Sequence, residues 1–211
     1  CLSLWLQGCS SKQESQKCVC ETCGAAGTRT QIIADLVKLE VRGSYGIHLM
    51  VDVRTDTTAA QSSIALSGPE GVLKLLEVTD GSEKAELEPG LGAIRGPHRT
   101  KDDPELCEAF VHATVVVRKP LQYVSASDAD MQVDKIQAYN RPEAPWFLTD
   151  AWASSYYHGD VQVDYAQGEI VQLDVGWGGM LHTEAIESRE TRVRAADAGS
   201  LVEAVGVGGD L

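Results

Sequence analysis

The chain has 211 residues, with 18 Lys+Arg against 31 Asp+Glu and a formal net charge of −13. This length can bury a core without disulfide or metal staples, and the acidic balance with no cluster of Lys and Arg argues against a nucleic-acid partner, because phosphate contacts need grouped cations. Twenty glycines, 6% aromatics and many β-branched residues suit turn-rich β architecture better than helices.

The first residue is Cys1, not Met, and residues 2–6 (LSLWL) are apolar apart from Ser3. That run is too short to cross a bilayer and reads as the end of a signal-peptide hydrophobic region. Leu6-Gln7-Gly8-Cys9 resembles a bacterial lipobox, although Gln7 stands where a smaller residue is usual. On this reading Cys9 is the lipidated residue and the polar stretch to residue 30 is a tether under a membrane anchor. Cys18, Cys20 and Cys23 follow closely, and a zinc site would need a fourth ligand from Cys107 or a distant His. Disulfides or incidental thiols are the simpler reading, so no metal and no cofactor is assigned.

The folded domain is expected over residues 31–211. Leu36, Leu39 and Val41 lead into Gly43-Ser44, and then Ile47, Leu49, Val51 and Val53 alternate with polar residues. The pattern predicts strand, turn, strand. A short strand over 63–67, one short helix within 70–78 and a turn at Asp80-Gly81 come next. Residues 89–104 are rich in Gly, Pro and charge and predict a loop.

The segment from Phe110 to Ile136 is the most informative. It holds a β-branched run over 111–117, a Pro step, and an alternating strand that bends among Ser and Asp. Two strands of a β-sandwich would fit it, and so would one coil of a parallel β-solenoid. Residues 137–153 break the alternation and read as an inserted loop carrying Trp146 and Trp152. These tryptophans either pack over the core or form a platform for a sugar or peptide. The last third returns to strands of four to six residues between Gly, Ser and Asp corners, including Gly176-Trp-Gly-Gly179, and GVGGDL starts another corner and strand. This repetition favours the solenoid: an all-β, right-handed parallel β-helix preceded by a short β-rich region, with one short helix possible.

Three segments carry a family resemblance: 33–49 (IADLVKLEVRGSYGIHL), 68–76 (GPEGVLKLL) and 115–130 (VVVRKPLQYVSASDAD). Together they are similar to the auto-transporter adhesin head domain of the GIN type, over roughly residues 31–211. Ala126 and Ala129 stand near positions where that family has glycines, and the 137–153 insertion is unusual for it. The resemblance implies a β-helical domain of a secreted or lipid-anchored bacterial envelope protein, at the outer membrane, cell surface or periplasm. Its implied role is adhesion, with an envelope protein, surface protein or glycan as partner.

No catalytic motif occurs: G-x-S-x-G, H-E-x-x-H, the P-loop and G-x-G-x-x-G are all missing from the sequence. The five histidines are scattered, and His48, His112 and His182 fall at outward positions of strand alternations. Asp128, Asp130 and Asp134, with Asp160 and Asp164, could form a carboxylate ladder for a cation or simply a solvated acidic face. Arg189, Arg192 and Arg194 make no convincing uronate site. The expectation is a non-enzymatic surface protein, the alternative a carbohydrate-binding or carbohydrate-active β-solenoid.

Overall fold

The computed structural model describes residues 24–34, 36–80, 90–99, 108–139, 150–205 and 207–208. In chain order the elements are β1 (Ala26–Ile33), β2 (Lys38–Arg42), β3 (Ile47–Thr55), β4 (Ser62–Pro69), the single-turn helix α1 (Glu70–Leu73), β5 (Glu77–Thr79), β6 (Leu91–Arg95), β7 (Ala109–Val117), β8 (Tyr123–Ser127), β9 (Ala129–Gln137), β10 (Ala151–Tyr156), β11 (Asp160–Gly176), β12 (Met180–Ala195), β13 (Leu201–Ala204) and β14 (Val207–Gly208). The described chain is therefore nearly all β. Its strands join in one open, curled sheet that forms a half-barrel.

Two series of parallel pairs run through this sheet. In one, β6, β2, β8 and β10 lie side by side and continue into residues 170–175 of β11 and 190–195 of β12. In the other, β7, β3 and β9 continue into residues 160–167 of β11, 180–187 of β12, and then β13. The long strands β11 and β12 belong to both series and tie them into one sheet.

Alternation explains the burial. Side chains of a strand point to opposite faces in turn, so one face can be wholly apolar. In β3, Ile47, Leu49, Val51 and Val53 are buried while His48 and Arg54 are exposed. The parallel register then stacks inward residue on inward residue. Leu39, Val124, Ala153 and Leu173 form one such row, each fully buried. Val51, Met131, Val161 and Leu181 form another on the second series. Burying a Leu or Val side chain of this kind stabilises the fold by about 1.5–3 kcal/mol.

Both ends of the strand order are built differently. At one, β4 runs antiparallel to β7 and β1 antiparallel to β4; at the other, β5 runs antiparallel to β6. Helix α1 buries Val72 and Leu73 beside β1 and β4.

Three expectations need adjustment. Strand β6 lies inside the segment read as a loop over 89–104. Its Gly92 is a packing residue, not a turn residue: a Cβ there would come within 2.6 Å of Leu36 Cδ2. Strand β1 starts at Ala26, ahead of the boundary drawn at residue 31, where Gly-Thr-Arg-Thr gave no apolar alternation. The stretch read as the inserted loop 137–153 is strand at both ends, because Gln137 closes β9 and residues 151–153 open β10. The strand over 63–67 and the short helix are as the sequence predicted, and the bend expected among Ser and Asp falls at Asp128, a residue the carboxylate ladder had placed on a strand.

The row model makes a two-sided prediction. Leu173→Ala should lower stability by about 2–5 kcal/mol, since neighbours on both flanking strands hold the cavity open. Thr183 follows Val53, Val133 and Val163 in their row, ahead of Ala204, with a fully buried hydroxyl that has no partner among the described residues. Thr183→Val should raise stability by about 1 kcal/mol by removing that group. Urea unfolding midpoints of the two variants check both signs.

Candidate interaction site

Passing from one series to the other, the chain turns sharply between β2 and β3, β8 and β9, β10 and β11, β11 and β12, and β12 and β13. Because the strands stack, these corners stack too. Met180 N–H donates to Gly159 O at 2.8 Å, and Leu201 N–H donates to Gly179 O at 3.1 Å. Packing between corners is close. A Cβ at Gly43 would lie 1.7 Å from Asp128 O, so only glycine fits there.

A corner this tight needs the left-handed backbone region, which glycine enters freely and other residues enter at a cost of about 1–2 kcal/mol. Among the described residues, the non-glycine residues with positive φ are Asp128 (50°), Tyr157 (50°), His158 (62°) and Trp177 (51°). All four sit in this one column of corners. Strained residues cluster where a side chain is needed at a fixed place. Tyr157 and Trp177 are 47% and 59% exposed, and their rings stack at 4.7 Å with an interplanar angle of 7°. Tyr156 leans on Trp177 from the side, with ring centroids 5.8 Å apart.

Asp197, on the next corner, holds Trp177 in place. Its carboxylate accepts hydrogen bonds from Trp177 N–H, from Gly178 N–H (3.4 Å), from Gly199 N–H (3.0 Å) and from Ser200 Oγ (2.9 Å). The Ser200 hydroxyl first, and then the backbone N–H groups, keep this carboxyl below the usual carboxylate range.

Beside the aromatic stack lies an open cleft of about 900 Å³. One wall is the corner column, including Asp128, Tyr157 and His158, and the other is the strap over 96–99. Ser44 Oγ donates to Pro97 O at 2.5 Å, and Gly96 N–H donates to Arg42 O at 2.8 Å, so the strap is tied to the first corner. Three of the five histidines line the cleft: His48, His98 and His158. Burial pushes the Asp128 carboxyl up, opposed by the charges of His158 and Arg42. Burial also pushes up Asp130, with Asp160 adding to the rise and His48 opposing it.

The outward face of the second series carries the carboxylates expected from the sequence, but they align across strands. Asp130 pairs directly with Asp160. Asp164 falls between register pairs that set it next to Asp134 on β9 and Glu184 on β12. Asp128 does not join this face, because it is a corner residue. Among the described residues no group of three or more His, Cys, Asp or Glu side chains is arranged to hold a metal.

The other predicted residues are dispersed. Trp152 lies in β10, half-buried, with its ring edge-on to Tyr123 at 5.3 Å. Trp146, Cys9 and the other five cysteines are outside the described residues. Arg189 and Arg192 are held in ion pairs with Glu169 (3.0 Å) and Glu190 (2.7 Å). The exposed aromatic pair was missed by sequence reasoning. Its signal is Trp177 set among Gly176, Gly178 and Gly179, since a bulky residue in a glycine corner must point outward.

The acidic row yields a pH prediction. Burial raises the Asp164 carboxyl, and Glu184, Asp134 and Asp52 raise it further. A carboxyl raised in the folded state binds its proton more readily folded than unfolded. Its favourable contribution is therefore full below the ordinary carboxylate range and lost as pH rises through the raised value. At pH 7 only the repulsion remains. Asp164→Asn should raise stability there by about 0.2–1 kcal/mol, as expected for relieving like charges on adjacent strands. The gain should fade as pH falls through the carboxylate range, which urea melts at pH 7 and pH 4 would show.

No family model matches the chain, and no curated protein matches it in sequence. Among solved structures it is similar to a "putative adhesin" from Parabacteroides distasonis, with 11% identity and a TM-score of 0.53, over 88% of this chain and 76% of that one. "Putative adhesin" structures from Parabacteroides merdae (10% identity, TM-score 0.46, 86% and 76% covered) and Bacteroides fragilis (13% identity, TM-score 0.44, 88% and 95% covered) also align with it. At this identity the likeness to the Parabacteroides distasonis protein is one of fold alone: this chain shares its β-rich architecture over most of its length.

Proposed function

We propose that this chain is a non-enzymatic interaction module of the bacterial cell envelope, an adhesin or surface-binding domain of the GIN head type. The observation that carries the reading is the fold shared with the Parabacteroides distasonis protein, which is named a "putative adhesin". The finer architecture proposed with it is a right-handed parallel β-helix. Its coils are the successive passages β2–β3, β8–β9, β10 into β11, β11 into β12, and β12 into β13. Parallel pairing of corresponding strands in register supports this, and parallel crossovers are right-handed in almost every known case. A module of this kind works by presenting a rigid outer surface, and its partner is another envelope or surface protein or a glycan.

The same proposal assigns the N-terminal region a role. Lipidation at Cys9 would hold the domain at a membrane surface on a polar tether. No helix among the described residues is long and apolar enough to cross a membrane, a statement that leaves β-barrel crossing aside.

Two measurements test this. In a bacterial host fed a palmitate analogue, the full chain should take up label and Cys9→Ser should not; label absent from both would remove the anchor. A strain lacking the protein should lose attachment to coated surfaces severalfold and regain it with the full chain. Attachment unchanged by deletion, or turnover of a glycan panel by the purified chain, would overturn the adhesion reading.

A further inference from the structure

We propose that the corner cleft binds a neutral oligosaccharide, with one sugar ring seated on the exposed Tyr157–Trp177 stack and its hydroxyls turned into the cleft. This deepens the surface-interaction reading and rests on it for its biological setting. The site itself rests on geometry alone.

Three observations converge on it. The first is where the aromatic rings sit. Tyr157 and Trp177 occupy left-handed backbone positions that glycine would fill without strain, as Gly46 and Gly178 do in the same column. Both nonetheless carry large rings that are about half exposed. Packing does not require those rings, so the strain is kept for what they present outward. The second is continuity. Tyr157 and His158 line the cleft, and Tyr157 is the ring on which Trp177 stacks, so platform and cleft form one surface.

The third is the polar chemistry. Glu77, Asp128 and Asp130 offer acceptors, Arg42, Arg95 and Arg99 offer donors, and the histidines offer either. A hydroxyl is both donor and acceptor, and one face of a pyranose ring is a patch of C–H groups that settles on an aromatic ring. A ligand with an apolar face and a rim of hydroxyls meets both halves of the site. The three carboxylates and three guanidinium groups of the lining leave it no net positive charge to draw an anionic ligand to a chain of net charge −13. A peptide binding as an added strand needs a free sheet edge, and the nearby β3 and β9 are each paired on both sides.

The test uses the full chain on an array of neutral hexose and N-acetylhexosamine oligosaccharides, with uronate-bearing oligosaccharides and peptides as controls, followed by calorimetry on the hits. The expected result is binding to neutral glycans that weakens at least tenfold in Trp177→Gly and in Tyr157→Asn. Both substitutions suit a positive φ, so the melting temperature should hold or rise. Lost affinity therefore cannot be put down to lost fold. Binding only to uronates or peptides, no binding at all, or neutral-glycan binding untouched by both variants would each overturn the proposal. Cells carrying Trp177→Gly should also attach less well than cells carrying the unaltered chain. Full attachment by the variant would sink this inference and leave the adhesion reading standing.

Discussion

In-register parallel pairing is the constraint from which the rest of the structure follows. Each strand places its inward residues directly against those of its neighbours, as in the row Leu39, Val124, Ala153 and Leu173. A slip of one residue would turn a whole apolar set to solvent and bring polar residues inward. The alternation must therefore hold its phase from strand to strand, across β8 and β10, although residues 128–150 separate them in sequence. It does so with small and branched side chains more than with aromatics. Ala126, Ala153, Ala166 and Val175 are all essentially buried, and they keep facing layers close.

The same constraint produces the corners. If successive strands are in register, the turns between them are superposed, and side chains far apart in sequence arrive side by side. Asp128, Tyr157 and Trp177 come together in this way. Adjacent corners also share backbone hydrogen bonds, such as His158 N–H to Trp177 O at 3.3 Å. A surface made from stacked corners is rigid without a loop having to order itself. Little conformational entropy is then lost when a ligand settles on it.

Much of the architecture was legible because alternation is a local signal. Strands β3, β7 and β9 announce themselves through Ile47 to Val53, the run over 111–117 and the Met131–Val133 pair. The bend at Asp128 could be read from its Ser and Asp neighbours. Strand β6 could not, because its Gly92 serves close packing against Leu36 and mimics a loop. Strand β1 could not either, since only Ile33 at its end is buried. Its place comes from pairing with β4, which no local pattern encodes. The aromatic pair lay in view, but its significance depends on corner stacking. Trp152, one of the two tryptophans offered by the sequence as a platform or as core packing, sits within a strand and packs on Tyr123.

Stacking like on like favours apolar rows and penalises charged ones. The row of Asp134, Asp164 and Glu184 survives because it faces water, where a high dielectric and salt screen the repulsion. Partners relieve part of it: Thr55 N–H donates to Asp134 Oδ2 at 2.5 Å, and Thr55 Oγ1 lies 3.0 Å from Asp134 Oδ1. The cost also has a use at the edge of the sheet. Val193 continues the row of Leu39 and Leu173, yet it is 55% exposed, because no described strand lies beyond residues 190–195 of β12. An exposed edge with apolar side chains invites pairing with other chains. Here the alternate positions are Glu190, Arg192 and Arg194, and the chain as a whole carries −13. Charges on the edge and a common sign on every copy oppose stacking between molecules.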